Sequence, residues 1–179
     1  MGIEIERRFF IDGREQKPWR GDRFLSIFQC YLDEVSQVDG EIVWQGHILA
    51  SGHDDLANIS TWRIRLQDGV AILTAKGHQT GATSSEYEWP ISHELFDSLP
   101  LEGLPAVTKT RYLWDGDDGL LWEVDEFESP LEGLIIAEVE LESEEQTVVI
   151  PDWAGLELTG LRGWSNAELA KMLNDVMNP

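Results

Sequence analysis

Charged residues of one sign recur two positions apart along this chain: Glu4 and Glu6, Arg63 and Arg65, Glu86 and Glu88, Lys109 and Arg111, Glu123 and Asp125, Glu138 and Glu140, with Arg8 and Lys76 standing singly. Cations that are mostly arginine suit a polyanion with several oxygens, because guanidinium forks bind phosphate through two parallel hydrogen bonds. Carboxylates beside an anion need a further reason, and a divalent metal supplies it. Hard oxygen ligands hold Mg²⁺ or Mn²⁺, and the ion bridges carboxylate to phosphate. The residue types point to a metal-bound polyphosphate, provided the fold brings them together.

Two residues is the period at which a strand returns a side chain to the same face. Residues 2–10 turn Ile3, Ile5 and Phe9 one way and Glu4, Glu6 and Arg8 the other. Residues 24–33 set Phe28, Cys30 and Leu32 against Gln29, Tyr31 and Asp33, and 61–67 set Trp62, Ile64 and Leu66 against Arg63, Arg65 and Gln67. Asp68-Gly69 is a hairpin turn signal into 70–76, where Ala71, Leu73 and Ala75 oppose Ile72, Thr74 and Lys76. Further strands follow at 85–91 with Glu86 and Glu88, at 107–114 with Lys109 and Arg111, at 120–128 with Glu123 and Asp125, and at 134–142 with Glu138 and Glu140. Short helices are expected at 92–99, with Ser92 as N-cap, and at 165–177, where Ser165-Asn166-Ala167-Glu168 is a capping box. Residues 34–59, rich in glycine, are expected to form an inserted hairpin.

A sandwich would turn the polar faces to water, and salt bridges across a solvated sheet would balance the charge. They would not sort it by strand. Like charges two apart on one face repel, so each pair needs an opposite pair or a ligand. The sorting favours a mainly β, α+β fold: a closed eight-stranded antiparallel barrel forming a tunnel, charged faces inward, apolar faces covered from outside by the two helices. Unpaired buried charges cost several kcal/mol each, so a charged lumen implies function.

Composition narrows the classes. A chain of 179 residues fits one domain, 1–179, and contains no run of apolar residues long enough for a membrane span. A net charge of −21, from thirteen Lys and Arg against thirty-four Asp and Glu, argues against a general nucleic-acid surface. Cys30 stands alone, so there is no disulfide framework, and a cytoplasmic location is expected. His47, His53, His78 and His93 lack metal-ligand spacing and read as surface residues, and Trp62, Trp89, Trp114 and Trp122 as outer-face packing.

Glu4-Ile5-Glu6-Arg7-Arg8 resembles the Glu-x-Glu-x-Lys signature of the CYTH superfamily, the triphosphate tunnel metalloenzymes. Gln29-Cys30-Tyr31-Leu32, Arg63-Ile64-Arg65, Leu73-Thr74-Ala75-Lys76, Glu86-Tyr87-Glu88, Lys109-Thr110-Arg111-Tyr112, Trp122-Glu123-Val124-Asp125 and Ala137-Glu138-Val139-Glu140-Leu141 follow in the family's order. The resemblance implies a tunnel barrel and hydrolysis of inorganic tripolyphosphate or a small organic triphosphate with Mg²⁺ or Mn²⁺. It implies that Arg8, Arg63, Arg65, Lys76, Lys109 and Arg111 hold the triphosphate and that Glu4, Glu6, Glu138 and Glu140 bind the metal. Asp125, Glu86 and Glu88 would hold a second metal, orient the attacking water or tether the cations, and Tyr31 matches a catalytic tyrosine that tripolyphosphatase-like members pair with the signature lysine. A small triphosphate-bearing molecule is the expected partner, with no membrane and with a homodimer left open.

Two departures stand out. Arg8 replaces the family's lysine, keeping the charge but losing any capacity as a base. Where the family often carries an Arg-Tyr-Ser-Asn-like motif, this chain reads Arg162-Gly163-Trp164-Ser165-Asn166, displacing the arginine by one. Two other readings remain: an adenylate cyclase forming cyclic AMP from ATP, and a non-catalytic polyphosphate or nucleotide-binding module.

Overall fold

The computed structural model describes residues 2–52 and 56–179. His53 lies outside the described residues. The strands are β1 (Gly2–Phe10), β2 (Phe24–Leu32), β3 (Ser36–Val38), β4 (Glu41–Trp44), β5 (His47–Ser51), β6 (Ile59–Gln67), β7 (Val70–Gly77), β8 (Thr83–Ile91), β9 (Ala106–Asp115), β10 (Leu121–Phe127) and β11 (Ile135–Glu140). Helix α1 spans His93–Ser98 and α2 spans Asn166–Met177, the latter preceded by a 3₁₀ turn at Arg162–Trp164.

Eight of these strands close into an antiparallel barrel in the order β1-β11-β10-β9-β2-β6-β7-β8, as the alternation required. Asp68 and Gly69 both take positive φ, which lets the two-residue turn match the twist of β6 and β7. The insertion differs from the expected hairpin. It forms a separate three-stranded sheet, β3-β4-β5, because Ser36–Val38 adds a further strand beside Glu41–Trp44. That sheet buries Ile42, Trp44 and Leu49 against Ile64 and Leu73 on the barrel's outer wall, with α1 and its C-cap residue Leu99 packed alongside. Ser92 caps α1 by accepting from the Leu95 amide, and Ser165 caps α2 by accepting from that of Glu168.

Outer coverage also differs. Only α1 packs outside; a second outer cluster, around Phe9, Trp122 and Val139, is covered by Trp19 of the 11–23 loop and by Trp153. Trp153 meets Trp19, Trp114 and Trp122 at centroid distances of 5.1, 5.3 and 5.6 Å.

Helix α2 lies at the end of the barrel rather than on its flank. Its buried residues Leu169 and Ala170 pack with Val107, Phe127 and Ile136, and with Phe10 and Tyr31. Those barrel residues share strand parity with Lys109, Asp125, Glu138, Arg8 and Gln29, so they face the lumen. Together they form an apolar floor that α2 closes. The chain reaches this position along β1. The β1–β8 register runs from Gly2↔Glu86 to Ile5↔Thr83 and then stops. Residues 155–158 take over the vacated edge: the Gly155 amide donates to the Phe10 carbonyl at 2.9 Å, Phe10 to Leu156 at 2.8 Å and Leu158 to Arg8 at 2.8 Å. A Cβ at Gly155 would lie 2.6 Å from the Phe10 carbonyl oxygen, so only glycine permits this approach.

Candidate active site

Above the apolar floor the barrel encloses a cavity of about 830 Å³. Glu4, Glu6, Arg8, Tyr31, Arg63, Arg65, Lys76, Glu86, Arg111, Glu123, Glu138 and Glu140 all line it. The structure thus brings together most of the side chains singled out from spacing alone. Glu88 does not line the cavity; it lies 4.0 Å from Arg63 and 3.5 Å from Thr74.

The charges divide into two groups. In the first, the Lys76 ammonium is ion-paired with Glu4, with Glu6 at 3.7 Å and with Glu86 at 3.5 Å. Burial opposes charge on Lys76, but Glu6, Glu4 and Glu86 outweigh it and hold its pKa above the usual range. Glu6 is pushed up to about 7, first by burial and then by Glu138, against the pull of Lys76. In the second group, Glu138 accepts from Arg8 Nε at 3.2 Å and from Arg111 Nη2 at 3.4 Å. Burial disfavours its charge, yet Arg111, Arg8 and Lys109 keep its carboxyl well below the ordinary value. Arg111 also pairs with Glu123.

Lys109 and Asp125 are placed differently from the expectation. Neither lines the cavity; both point into the barrel but lie deeper, beneath the cavity lining, with side chains 0% and 1% exposed and 2.5 Å from one another. Arg111 donates to both oxygens of Asp125, at 2.7 and 2.8 Å. Burial lowers the Lys109 pKa to about 8 although Asp125 resists the shift. Asp125 is thereby committed to two cations.

Arg8, Arg63 and Arg65 present donors unsatisfied among the described residues. There, Arg8 Nη2, Arg63 Nε and Arg65 Nε are buried without a hydrogen-bond partner. Arg8 is otherwise held through Nη1, which donates to the Trp164 carbonyl at 2.9 Å, and Arg63 through Nη2, which donates to Thr74 Oγ1 at 3.1 Å. No carboxylate lies within ion-pair distance of Arg65 among the described residues, and burial, then Arg63 and Arg111, lower its pKa.

The inward carboxylates form a donor set for a divalent metal. Glu6 faces Glu140 and Arg8 faces Glu138 across adjacent strands β1 and β11, with Glu4 two residues further along the same inward face. Four carboxylates on neighbouring strands supply the hard oxygens that Mg²⁺ or Mn²⁺ requires. Among the described residues no three His, Cys, Asp or Glu side chains already converge on one point. The reason is visible: Glu4 and Glu6 turn to Lys76, and Glu138 lies between Arg8 and Arg111. The residues fit a metal whose binding exchanges these ion pairs.

Thr74 lines the cavity on the face that strand alternation gave it with Lys76, although the sequence assigned it no role. Gln29, on the face of Tyr31, is wholly buried and does not reach the cavity. Arg162, Ser165 and Asn166 line the cavity from the 3₁₀ turn and the start of α2, which the shifted motif had left open. His78 also lines it, whereas His47 begins β5 and His93 begins α1.

Comparison with known proteins decides the family, since the CYTH domain is matched over residues 2–168. The chain belongs to the CYTH family. This CYTH chain is 33% identical over 175 residues to the inorganic triphosphatase of Acetivibrio thermocellus, covering 96% of this chain and 95% of that one. It is 36% identical over 111 residues to the inorganic triphosphatase of Nitrosomonas europaea, covering 60% of this chain and 73% of that one. A solved inorganic triphosphatase structure superposes with a TM-score of 0.59 at 30% identity, with 95% of each chain covered. No helix among the described residues is long and apolar enough to cross a membrane.

Proposed function

We propose that this CYTH barrel hydrolyses a triphosphate, inorganic tripolyphosphate before organic ones, in its cavity. The observation that carries the reading is the set of buried guanidinium nitrogens without acceptors, on Arg8, Arg63 and Arg65. Buried donors are nearly always satisfied, and leaving one unmade costs about 1–3 kcal/mol. A polyanion with several oxygens satisfies all three at once. The relatives' activity as inorganic triphosphatases supports the same substrate class.

Roles follow from position. Arg63, Arg65, Arg111, Lys76 and Arg8 contact the phosphates, with Arg162 and the amides opening α2 available to a further phosphate oxygen. Asp125, itself paired with Lys109, holds Arg111 in place from beneath. Glu4, Glu6, Glu138 and Glu140 would hold Mg²⁺ or Mn²⁺, which supplies Lewis-acid polarisation of the phosphoryl oxygens and a site for water. Glu86 restrains Lys76, and Glu88 is placed to orient Arg63. Water attacks a terminal phosphorus in line, the bond from that phosphorus to the bridging oxygen breaks, and phosphate and diphosphate leave. Arginines already fixed by Glu138, Thr74 and Asp125 stabilise charge on the transferred group without reorganising.

Arg65→Gln tests the reading, because Arg65 pairs with no carboxylate and its removal leaves no buried anion behind. It is expected to lower kcat/KM for tripolyphosphate about 100-fold, as loss of one preorganised donor does. Unchanged kcat/KM would place the substrate elsewhere.

A further inference from the structure

Tyr31 and its neighbour Gln29 form an arrangement that the charged residues do not explain. Both point inward from β2, and Tyr31 stands on the apolar floor while lining the cavity. Gln29 is wholly buried, and its Nε2 donates to the Tyr31 hydroxyl oxygen at 2.7 Å. A buried glutamine beside apolar Val107, its register partner on β9, is expensive unless it has work to do. Its other cross-strand partner is Arg65 on β6. The Gln29 Oε1 and the Arg65 Nε are each buried without a partner, one an acceptor and the other a donor. A cation opposite the amide favours the carbonyl oxygen on that side, which leaves Nε2 for Tyr31. The amide orientation is thus set by charge.

This has a consequence for the phenol. A hydroxyl whose oxygen already accepts from Gln29 must aim its own hydrogen elsewhere. No acceptor for that hydrogen is found among the described residues, and the open side of Tyr31 is the cavity. Arg8 does not compete for the hydroxyl, since its guanidinium is held by Glu138 and the Trp164 carbonyl. Burial raises the Tyr31 pKa, so the phenol keeps its proton at neutral pH.

We propose that Gln29 is a positioning residue for the triphosphatase reaction: it fixes Tyr31 as a hydrogen-bond donor to a phosphate oxygen of the bound triphosphate. The proposal rests on the triphosphatase reading.

The test is a double-mutant cycle on the full-length protein with tripolyphosphate and Mg²⁺ or Mn²⁺. Gln29→Leu is expected to lower kcat roughly tenfold, part of what loss of a preorganised donor costs, with KM within about twofold. In a Tyr31→Phe background the same substitution should change kcat less than about twofold, because Gln29 acts through the hydroxyl. Equal falls in both backgrounds would overturn the proposal. Ultraviolet titration supplies a readout independent of turnover, with the Tyr31→Phe profile subtracted to remove Tyr87 and Tyr112. The Tyr31 transition should move to higher pH in Gln29→Leu, since the phenolate loses a donor; an unmoved transition overturns the proposal. Should Gln29→Leu fail to fold, Gln29→Asn, too short to reach the hydroxyl, takes its place with the same expectations. A chain that folds with neither makes Gln29 structural and the proposal wrong. If the unaltered protein releases no phosphate, the functional reading fails, while the titration still reports on the Gln29–Tyr31 bond.

Discussion

Replacing Asp125 by asparagine removes one charge while keeping nearly the same shape, so it isolates what the carboxylate does. Asp125 sits between Lys109 and Arg111 with three contacts of 2.5 to 2.8 Å, all shielded from solvent. Breaking a buried ion pair from one side leaves an uncompensated charge and costs about 3–5 kcal/mol. For a chain of this length each kcal/mol lowers Tm by roughly 2–4 °C, so a fall of roughly 6–20 °C is expected in a thermal melt. The loss should depend on pH. With Asp125 present, burial already brings Lys109 to about 8, below its unfolded value. Without Asp125 the folded pKa falls further, so the variant's Lys109 sheds its proton earlier and no longer needs a partner. The folded variant then binds fewer protons than the native protein, and the stability gap narrows as pH rises toward 8. Asp12→Asn serves as control: its pair with Arg14 is exposed, with side chains 44% and 88% accessible, and its Tm should barely move. A native melting profile for Asp125→Asn, with metal affinity lost instead, would refute the tether and make Asp125 a metal ligand.

Further expectations concern the floor, the signature strand and the first charge group. Gly155→Ala would place a methyl group 2.6 Å from the Phe10 carbonyl oxygen and force residues 155–158 off β1; a loss of about 1–3 kcal/mol is expected, from clash and unmade strand hydrogen bonds, read by denaturant melts. Unaltered stability would show that these residues do not hold α2 in place. Arg8→Lys keeps the charge but gives up the bond to Trp164, so hydrolysis should stay within about threefold while stability falls by about 1–3 kcal/mol; a collapse of activity would show that position 8 supplies more than charge. Glu6, raised to about 7, holds a proton in the fold that the unfolded chain has released. The stability this confers is complete below its unfolded pKa and is lost as pH rises through about 7. Without divalent metal, melts of the native protein should therefore weaken relative to Glu6→Gln over that window, and the absence of any trend would place Glu6 in a solvated setting.

The barrel was legible because its lumen is charged. In an ordinary sandwich the polar faces mix types, but Arg63 with Arg65 or Glu138 with Glu140 mark a face that cannot be left to water alone. Strand parity then assigned most of the cavity lining, including Thr74. Parity says which way a residue faces and nothing of its depth, so Lys109 and Asp125 were expected in contact with substrate and lie beneath the cavity lining. The same limit hid the floor. Phe10, Val107, Phe127 and Ile136 share the face of the charges, yet as strand-end apolar residues they gave no sign that α2 would pack upon them. The amphipathic pattern of α2 correctly indicated a buried side and could not distinguish a barrel's flank from its end. The 34–59 insertion misled for a different reason: Ser36-Gln37-Val38 is too short and polar to register as a strand, and pairs only because Glu41–Trp44 offers an edge.

Phosphate release from tripolyphosphate with and without Mg²⁺ or Mn²⁺, for the native protein and for Glu138→Ala, tests the central claim most directly. Glu138 meets both Arg8 and Arg111 and lies among the carboxylates that would hold the metal. Release that requires the divalent ion and falls at least 100-fold in Glu138→Ala is the predicted result. Release that persists in the variant, or none from the native protein despite tripolyphosphate bound in calorimetry, would contradict the account and leave a binding module in its place.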